Sequence, residues 1–184
     1  MIASHNSWTF ATPKKWWMKL IKFTAKCQNK NIQEQYALGV RLFDLRLKGK
    51  NVCHGLIEYD IDFMTDLLWL NGKGDAYVRV LCERDGYEDY FKNIMNILIG
   101  TCKNIQFLGG QRKSDWKKLV ELPDVGVIDR YSSTTSLFPY FKFKFFAVLD
   151  DLWPWLYSYV TRKQRDSWKK EFNGVWLMMD FVEL

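Results

Sequence analysis

Short apolar segments that end in polar or charged residues recur along this chain, and segments with helical periodicity separate them. This alternation of strands and helices predicts a parallel α/β fold. We expect a compact TIM-type (β/α) barrel whose wall need not be complete, forming a single domain over residues 1–184, and an open parallel sheet would show the same alternation. Folds of this type gather their active sites at the carboxyl ends of the strands. The polar residues that follow predicted strands are His5, Asp44, Arg46, His54, Glu83, Arg84, Arg130 and Asp180.

Residues 38–55, LGVRLFDLRLKGKNVCHG, concentrate ionisable groups in a predicted β-hairpin. The first strand alternates, so Asp44 and Arg46 should project from one face near its carboxyl end. After a glycine turn, residues 51–56 return as a second strand that carries His54. An ordinary charged hairpin would show the same pattern. The chain contains only two histidines, however, and both lie beside a strand end, which favours a functional site.

The remaining elements are predicted from apolar periodicity and from turn residues. The predicted strands cover residues 1–4, 77–82, 105–108, 125–128 and 175–181. The predicted helices cover residues 32–38, 61–70, 90–99, 116–122 and 153–172.

The composition favours an anionic partner, because the net charge is +6. A lipid headgroup, a nucleic acid or a phosphorylated small molecule would each suit this charge. Lysines interrupt the longest apolar runs, and no signal peptide pattern begins the chain, so we expect a cytoplasmic or peripheral membrane protein. The four cysteines lack the spacing of metal ligands and are predicted to be buried thiols, with a disulfide pair as the alternative.

Residues 14–23, KKWWMKLIKF, mix basic and large apolar side chains from Lys14 to Phe23 at helical spacing. Two interpretations are open. The segment could lie in a membrane interface, with tryptophan at headgroup depth and lysine facing anionic lipid. Alternatively, a helix could pack Trp17, Leu20 and Phe23, or close neighbours of them, into the core.

Three pieces of sequence occur in a specific order and spacing: SHNS at residues 4–7, GVRLFDLR at residues 39–46 and HG at residues 54–55. They resemble the catalytic X region of phosphatidylinositol-specific phospholipase C, especially its bacterial branch. Residues 83–89, 130–132 and 176–181 extend the resemblance more weakly. The resemblance implies a phospholipase C-like phosphodiesterase that acts on an inositol phospholipid or glycerophospho-compound, without a nucleic acid partner.

The resemblance also implies a role for each of five residues. His5 would be the general base that deprotonates the attacking inositol hydroxyl, and His54 the general acid that protonates the leaving oxygen. Imidazoles near their ordinary pKa would suit both steps. Asp180 would fix the tautomer of His5, and Arg46 would stabilise the phosphate charge. Asp44 would hold Arg46 or assist His54.

Arg84, Arg130 and Asn6 are the expected substrate contacts, and no metal is expected. Calcium is the less favoured alternative. It arises because Asn6 stands where members of the bacterial branch typically have Asp and where calcium-dependent members have Asn. Asn6, Asp44 and Glu83 could together supply oxygen ligands. Arg46 would occupy the same space, and its permanent charge would repel the ion.

Two other functions remain open from the residues. A two-histidine ribonuclease would use the same chemistry, since a 2′-hydroxyl attacks its neighbouring phosphate. It would need aromatic stacking positions beside the site. A non-enzymatic binder of membrane surfaces could also be built on a phospholipase-like scaffold, with residues 14–23 as its contact.

Overall fold

A computed structural model describes residues 1–109, 127–129, 154–161 and 176–183. The strands in these ranges are β1 (Ile2–Ser4), β2 (Thr12–Pro13), β3 (Leu42–Lys48), β4 (Asn51–His54), β5 (Ile57–Asp60), β6 (Tyr77–Cys82), β7 (Gln106–Gly109), β8 (Val127–Asp129) and β9 (Trp176–Met179). The helices are α1 (Trp16–Leu20), a 3₁₀ helix (Lys22–Thr24), α2 (Ile32–Ala37), α3 (Phe63–Lys73), α4 (Glu88–Thr101) and α5 (Pro154–Thr161).

The described strands form one nine-stranded sheet. Its parallel part runs in the order β7–β6–β3–β1–β9–β8, so strands from the two ends of the chain are neighbours. The prediction of a parallel α/β fold is therefore confirmed. Within the described ranges no pairing joins β7 to β8, so the sheet is not closed there and a complete TIM barrel is not established.

An antiparallel extension departs from the predicted hairpin. Strand β4 pairs with the carboxyl end of β3, and β5 then pairs with β4 and carries β2 at the edge. The predicted second strand ends at His54 rather than continuing to residue 56, because Gly55 turns the chain with φ +56°. The sequence analysis did not predict β5.

The helices begin and end close to their predicted positions. Helix α2 begins with a capping box in which Asn31 and Glu34 exchange side-chain and backbone hydrogen bonds. Asp62 caps α3, and its side chain accepts a hydrogen bond from the amide of Met64. The predicted helix over residues 116–122 and the later part of the helix over residues 153–172 lie outside the described residues.

Apolar residues of β3 and β6 form the centre of a core that also includes one face of α3 and one face of α4. In α4 the buried side chains recur at helical spacing, at Phe91, Met95 and Leu98. The four cysteines are buried free thiols, which confirms that prediction and excludes the disulfide pair.

The predicted helix of residues 14–23 is only partly formed, and the alternative in which it packs into the core does not hold for Trp17, Leu20 and Phe23. Met18 is the buried side chain of α1, whereas Trp16 is 74% exposed, Leu20 is 67% exposed and Phe23 is 50% exposed. The helix has five residues before the 3₁₀ turn, too few for a continuous apolar stripe. Among the described helices, none is both long and apolar enough to cross a bilayer.

Candidate active site

The loop after β1 places His5 at the carboxyl end of the parallel strands. The amide of His5 still donates to Met179 of β9, at 3.0 Å. Asn6 then adopts a left-handed conformation with φ +44°, and the amide of Ser7 donates to the Asp44 carbonyl of β3. Asparagine tolerates this conformation better than most residues. The sharp turn brings His5 and Asn6 beside Asp44 and Arg46 of β3.

The His5 ring is buried and held at both nitrogens. Its Nδ1 lies 2.6 Å from Oδ1 of Asp180, the residue after β9. Its Nε2 lies 2.6 Å from Nη2 of Arg46 and 3.2 Å from Nδ2 of Asn6. A guanidinium can only donate, so Nε2 is the acceptor and Nδ1–H donates to Asp180. In this tautomer, Nε2 is the basic nitrogen.

Buried Gln28 holds the two chain segments that carry this pair. Its Nε2 donates to the carbonyls of His5 and Met179, each at 3.0 Å. Next to it, the Cys27 carbonyl accepts from the amide of Phe181, which follows Asp180. The His5–Asp180 pair is thus fixed through backbone contacts. The sequence analysis identified neither Gln28 nor Cys27 as part of the site.

Asp44 is the centre of a buried charge network. Its Oδ2 accepts from Nε of Arg46 at 3.0 Å and from the amide of Asn6 at 3.1 Å. Its Oδ1 accepts from Nε of Arg79 at 2.9 Å. Burial raises the pKa of Asp44, but the charges of Arg46 and Arg79, and of His5 when its ring is protonated, lower the pKa by more. The net pKa therefore lies far below the usual range. The carboxylate is therefore ionised.

The contact between Asp44 and Arg46 confirms the prediction that they share one face of β3. Nε of Arg46 donates to Oδ2 of Asp44 at 3.0 Å, so the geometry matches the first of the two expected roles of Asp44, which is to hold Arg46.

Arg79 was not predicted as part of the site. It is buried in the middle of β6, and the parallel register sets it opposite Asp44. One feature of the sequence could have indicated it, namely a single arginine within the otherwise apolar stretch YVRVLC. A charge buried in such a strand requires a partner of opposite charge.

His54 is the second imidazole of the site, at the end of β4. Its ring centroid lies 5.9 Å from that of His5, with 77° between the ring planes. Its Nδ1 lies 2.8 Å from the Ala25 carbonyl and 3.6 Å from Sγ of Cys27. Because a carbonyl only accepts, Nδ1 carries the proton, and Nε2 is the unprotonated nitrogen that is left for proton transfer.

The pKa of His54 is lowered to about 3 by burial and by the positive charge of Arg46, with a further contribution from His5 when that ring is protonated. The expectation of two imidazoles near their ordinary pKa is therefore wrong for His54 in the unliganded protein. His54 is neutral at pH 7 in this state.

Glu83 and Arg84, directly after β6, contact the residue that follows His54. Oε1 of Glu83 accepts from the Gly55 amide at 3.1 Å, and Nη2 of Arg84 donates to the Gly55 carbonyl at 2.9 Å. Oε2 of Glu83 lies 3.6 Å from Nη1 of Arg46. Arg84 is thus beside the site. Arg130, the other expected arginine contact, lies outside the described residues.

The two carboxylates of the calcium alternative are engaged by guanidinium groups. Both carboxylate oxygens of Asp44 accept from arginine, and Glu83 is paired with Arg46. Among the described residues, His5, Cys27 and Asp180 also place potential ligand atoms within 4.8 Å of one another. The guanidinium of Arg46 lies against that group through Nε2 of His5, so a cation in either position would face a fixed positive charge.

Comparisons with known proteins establish the fold. No family model matches the chain, and no curated protein matches it in sequence. The structure is similar to phosphatidylinositol-specific phospholipase C from Listeria monocytogenes, with a TM-score of 0.63 and 13% sequence identity. The similarity covers 98% of this chain and 87% of that one. The chain therefore has a phospholipase C-like α/β fold.

Proposed function

We propose that this chain is a phosphodiesterase that cleaves an inositol phospholipid or a related glycerophospho-compound by attack of a neighbouring hydroxyl. The observation that carries the proposal is the pair of imidazoles, His5 and His54, with ring centroids 5.9 Å apart and the Arg46 guanidinium beside them. General acid–base catalysis of phosphodiester cleavage needs two proton-transfer groups and a positive charge at the phosphate. The similar fold of a phospholipase C supports the same chemistry.

In the proposed reaction His5 and His54 transfer one proton each. Nε2 of His5 takes the proton of the substrate hydroxyl as its oxygen attacks phosphorus. The bond from phosphorus to the leaving oxygen breaks, and His54 protonates that oxygen. The products are a five-membered cyclic phosphodiester and an alcohol. Asp180 stabilises the imidazolium that forms on His5, through the contact of 2.6 Å at Nδ1.

Arg46 has to change partners during this reaction. In the unliganded structure its Nη2 donates to Nε2 of His5, so the basic lone pair is engaged. A phosphate is a stronger acceptor than a neutral imidazole and would draw the guanidinium toward its non-bridging oxygens. Substrate binding would thereby release the base. The Nε contact to Asp44 is separate and can persist during this change.

The phosphate also prepares His54 for its role as an acid. The lowered pKa of His54 arises from burial and from the charge of Arg46, with a further contribution from His5 when that ring is protonated. A bound phosphodiester anion places negative charge next to the imidazole and neutralises part of this field, which raises the pKa. The acid would therefore become protonated only in the complex with substrate.

We propose that this chemistry requires no metal ion. Phosphoryl transfer needs positive charge beside the non-bridging oxygens, from a cation or from fixed side chains. Arg46 and Arg79 supply two buried guanidinium groups around Asp44. Both oxygens of that carboxylate accept from arginine, which favours side-chain charge over calcium bound by Asn6, Asp44 and Glu83.

A peripheral membrane contact through residues 14–23 is the second part of the proposal. The exposure of Trp16, Leu20 and Phe23 supports it, because large apolar side chains beside lysines suit the headgroup region of a bilayer. The same exposure also favours the alternative of a membrane-surface binder without catalysis.

A cleavage panel tests the proposed function. Phosphatidylinositol, lysophosphatidylinositol, glycerophosphoinositol and a short RNA are each incubated with the protein, with and without EDTA. We expect cleavage of an inositol substrate that survives EDTA and is lost in His5→Ala, His54→Ala and Arg46→Ala, since acid–base groups contribute roughly 10²–10⁴-fold. Arg41→Ala is the matched control, because Arg41 pairs with exposed Asp75 at the opposite end of β3.

Cleavage of RNA alone would assign the ribonuclease function instead. Lipid binding without turnover of any substrate would assign the non-enzymatic binder.

A further inference from the structure

A pocket of about 240 Å³ opens beside Gly55, the residue after His54. Lys15, Lys48 and Arg84 line it, together with a single carboxylate, Glu58. Three cations facing one acid leave the pocket with excess positive charge. This charge is complementary to an anion, and the Gly55 backbone links the pocket to the candidate site.

The polar groups of this pocket are held in place. Nζ of Lys48 lies 2.6 Å from Oε1 of Glu58, and Nδ2 of Asn51 donates to Oε2 at 2.7 Å. Arg84 is anchored by its hydrogen bond to the Gly55 carbonyl. Among the described residues, neither Lys15 nor Arg84 forms an ion pair, so their charges remain available to a ligand.

The other walls are apolar and come from the segment proposed to meet the membrane. Trp17 and Met18 of α1 line one side, and Leu56, which is 66% exposed, lines another. The exposed side chains of Trp16 and Leu20 belong to the same short helix. A protein that places α1 in a bilayer interface would bring this basic pocket to the level of the lipid phosphates.

We propose that this pocket binds the phosphate of an anionic phospholipid that is not the molecule being cleaved. Lys15 and Arg84 contact the phosphate oxygens, and Trp17 packs against the glycerol and first acyl carbons. The volume suits a headgroup phosphate and excludes a whole lipid. The inference rests on the proposed function in expecting the chain to work at a lipid surface. Through Arg84 and Gly55, an occupied pocket would connect anionic lipid to the backbone beside His54.

The test uses monomeric dihexanoyl phosphatidylglycerol as the probe and dihexanoyl phosphatidylcholine as its zwitterionic counterpart, which has a phosphate but no net charge. The indole N–H resonance of Trp17, assigned with Trp17→Phe, reports occupancy of the pocket by NMR. We expect saturable shifts of the Trp17 resonance with phosphatidylglycerol and much weaker binding of phosphatidylcholine. Lys15→Gln should weaken the affinity about tenfold, as for the loss of a charge-assisted hydrogen bond. Lys19→Gln is the control, because it removes the same charge from α1 outside the pocket.

Three results would overturn the proposal. Equal weakening by Lys15→Gln and Lys19→Gln would indicate a diffuse basic surface. Equal binding of the two lipids would mean that the net negative charge of the lipid plays no part in binding. A saturable shift of the Trp17 resonance with a soluble inositol bisphosphate, but not with the anionic lipid, would assign the pocket to a second phosphate of the substrate. The titration does not depend on turnover, so it separates a failure of the pocket from a failure of the proposed function.

Discussion

Replacing Arg79 with methionine removes one guanidinium from the network around Asp44 and keeps most of the side-chain volume. Arg79 and Asp44 are both buried, and the substitution removes the contact of 2.9 Å between Nε of Arg79 and Oδ1 of Asp44. Breaking a buried ion pair by removing one partner costs about 3–5 kcal/mol. Asp44 retains Arg46 and the Asn6 amide, so we expect a loss near the lower end, about 3 kcal/mol, in the free energy of unfolding.

Urea unfolding at pH 7 measures this loss, and a double-mutant cycle with Asp44→Asn isolates the pair. Lys30→Met is the surface control, because Lys30 pairs with Glu34, whose side chain is 47% exposed, and such pairs contribute less than about 1 kcal/mol. If Arg79→Met cost no more than this control, the Asp44 network would not be a main source of stability.

The pH dependence of the same variant has a definite sign. The pKa of Asp44 is lowered in the folded protein, so its ionisation stabilises the fold above the pKa of the unfolded chain, about 4. That stabilisation is lost as the pH falls toward the folded value. The difference between wild type and Arg79→Met should therefore be full at pH 7 and shrink below about pH 4. A difference independent of pH would mean that Arg79 acts through packing alone.

Three other predictions concern the site and the surface. An NMR titration of His54 should give a pKa near 3 in the free protein and a higher value with a bound inositol phosphate, and no change on binding would exclude it as the acid. Trp16→Ala combined with Leu20→Ala should weaken binding to phosphatidylinositol vesicles but spare hydrolysis of glycerophosphoinositol; an equal loss in both assays, with a lower melting temperature, would mean that these side chains support the fold. Arg46→Ala should lose activity, and Arg46→Asp should regain part of it with added calcium, whereas strong calcium activation of the unmodified protein would assign Asn6, Asp44 and Glu83 to a metal site.

Alternation within a strand is a local rule, and it correctly predicted that Asp44 and Arg46 share one face of β3. The partnership of Asp44 with Arg79 could not be read in the same way, because it depends on the parallel register between β3 and β6. Sequence spacing does not specify that register. A charged residue in an apolar strand indicates a need for a partner, but not which partner.

The antiparallel strands and the segment of residues 14–23 show a second limit. The sequence predicts a strand over residues 51–56 that includes Gly55, yet the positive φ of this residue ends β4 and begins a new turn. In α1, helical spacing suggested a buried face. The helix is too short to build one, and only Met18 reaches the core. Periodicity indicates which residues could be buried together, whereas element length decides whether they are.

The proposed roles of the two histidines are tested most directly by changing the leaving group. The substrates are an inositol phosphodiester of glycerol and the corresponding 4-nitrophenyl ester, whose leaving oxygen departs without a proton. His54→Gln should lose roughly 10²–10⁴-fold on the glycerol ester and recover most of the rate on the nitrophenyl ester. His5→Gln should lose activity on both, because the base is needed in each case. Equal losses of the His54 variant on the two substrates would contradict the assignment of His54 as general acid.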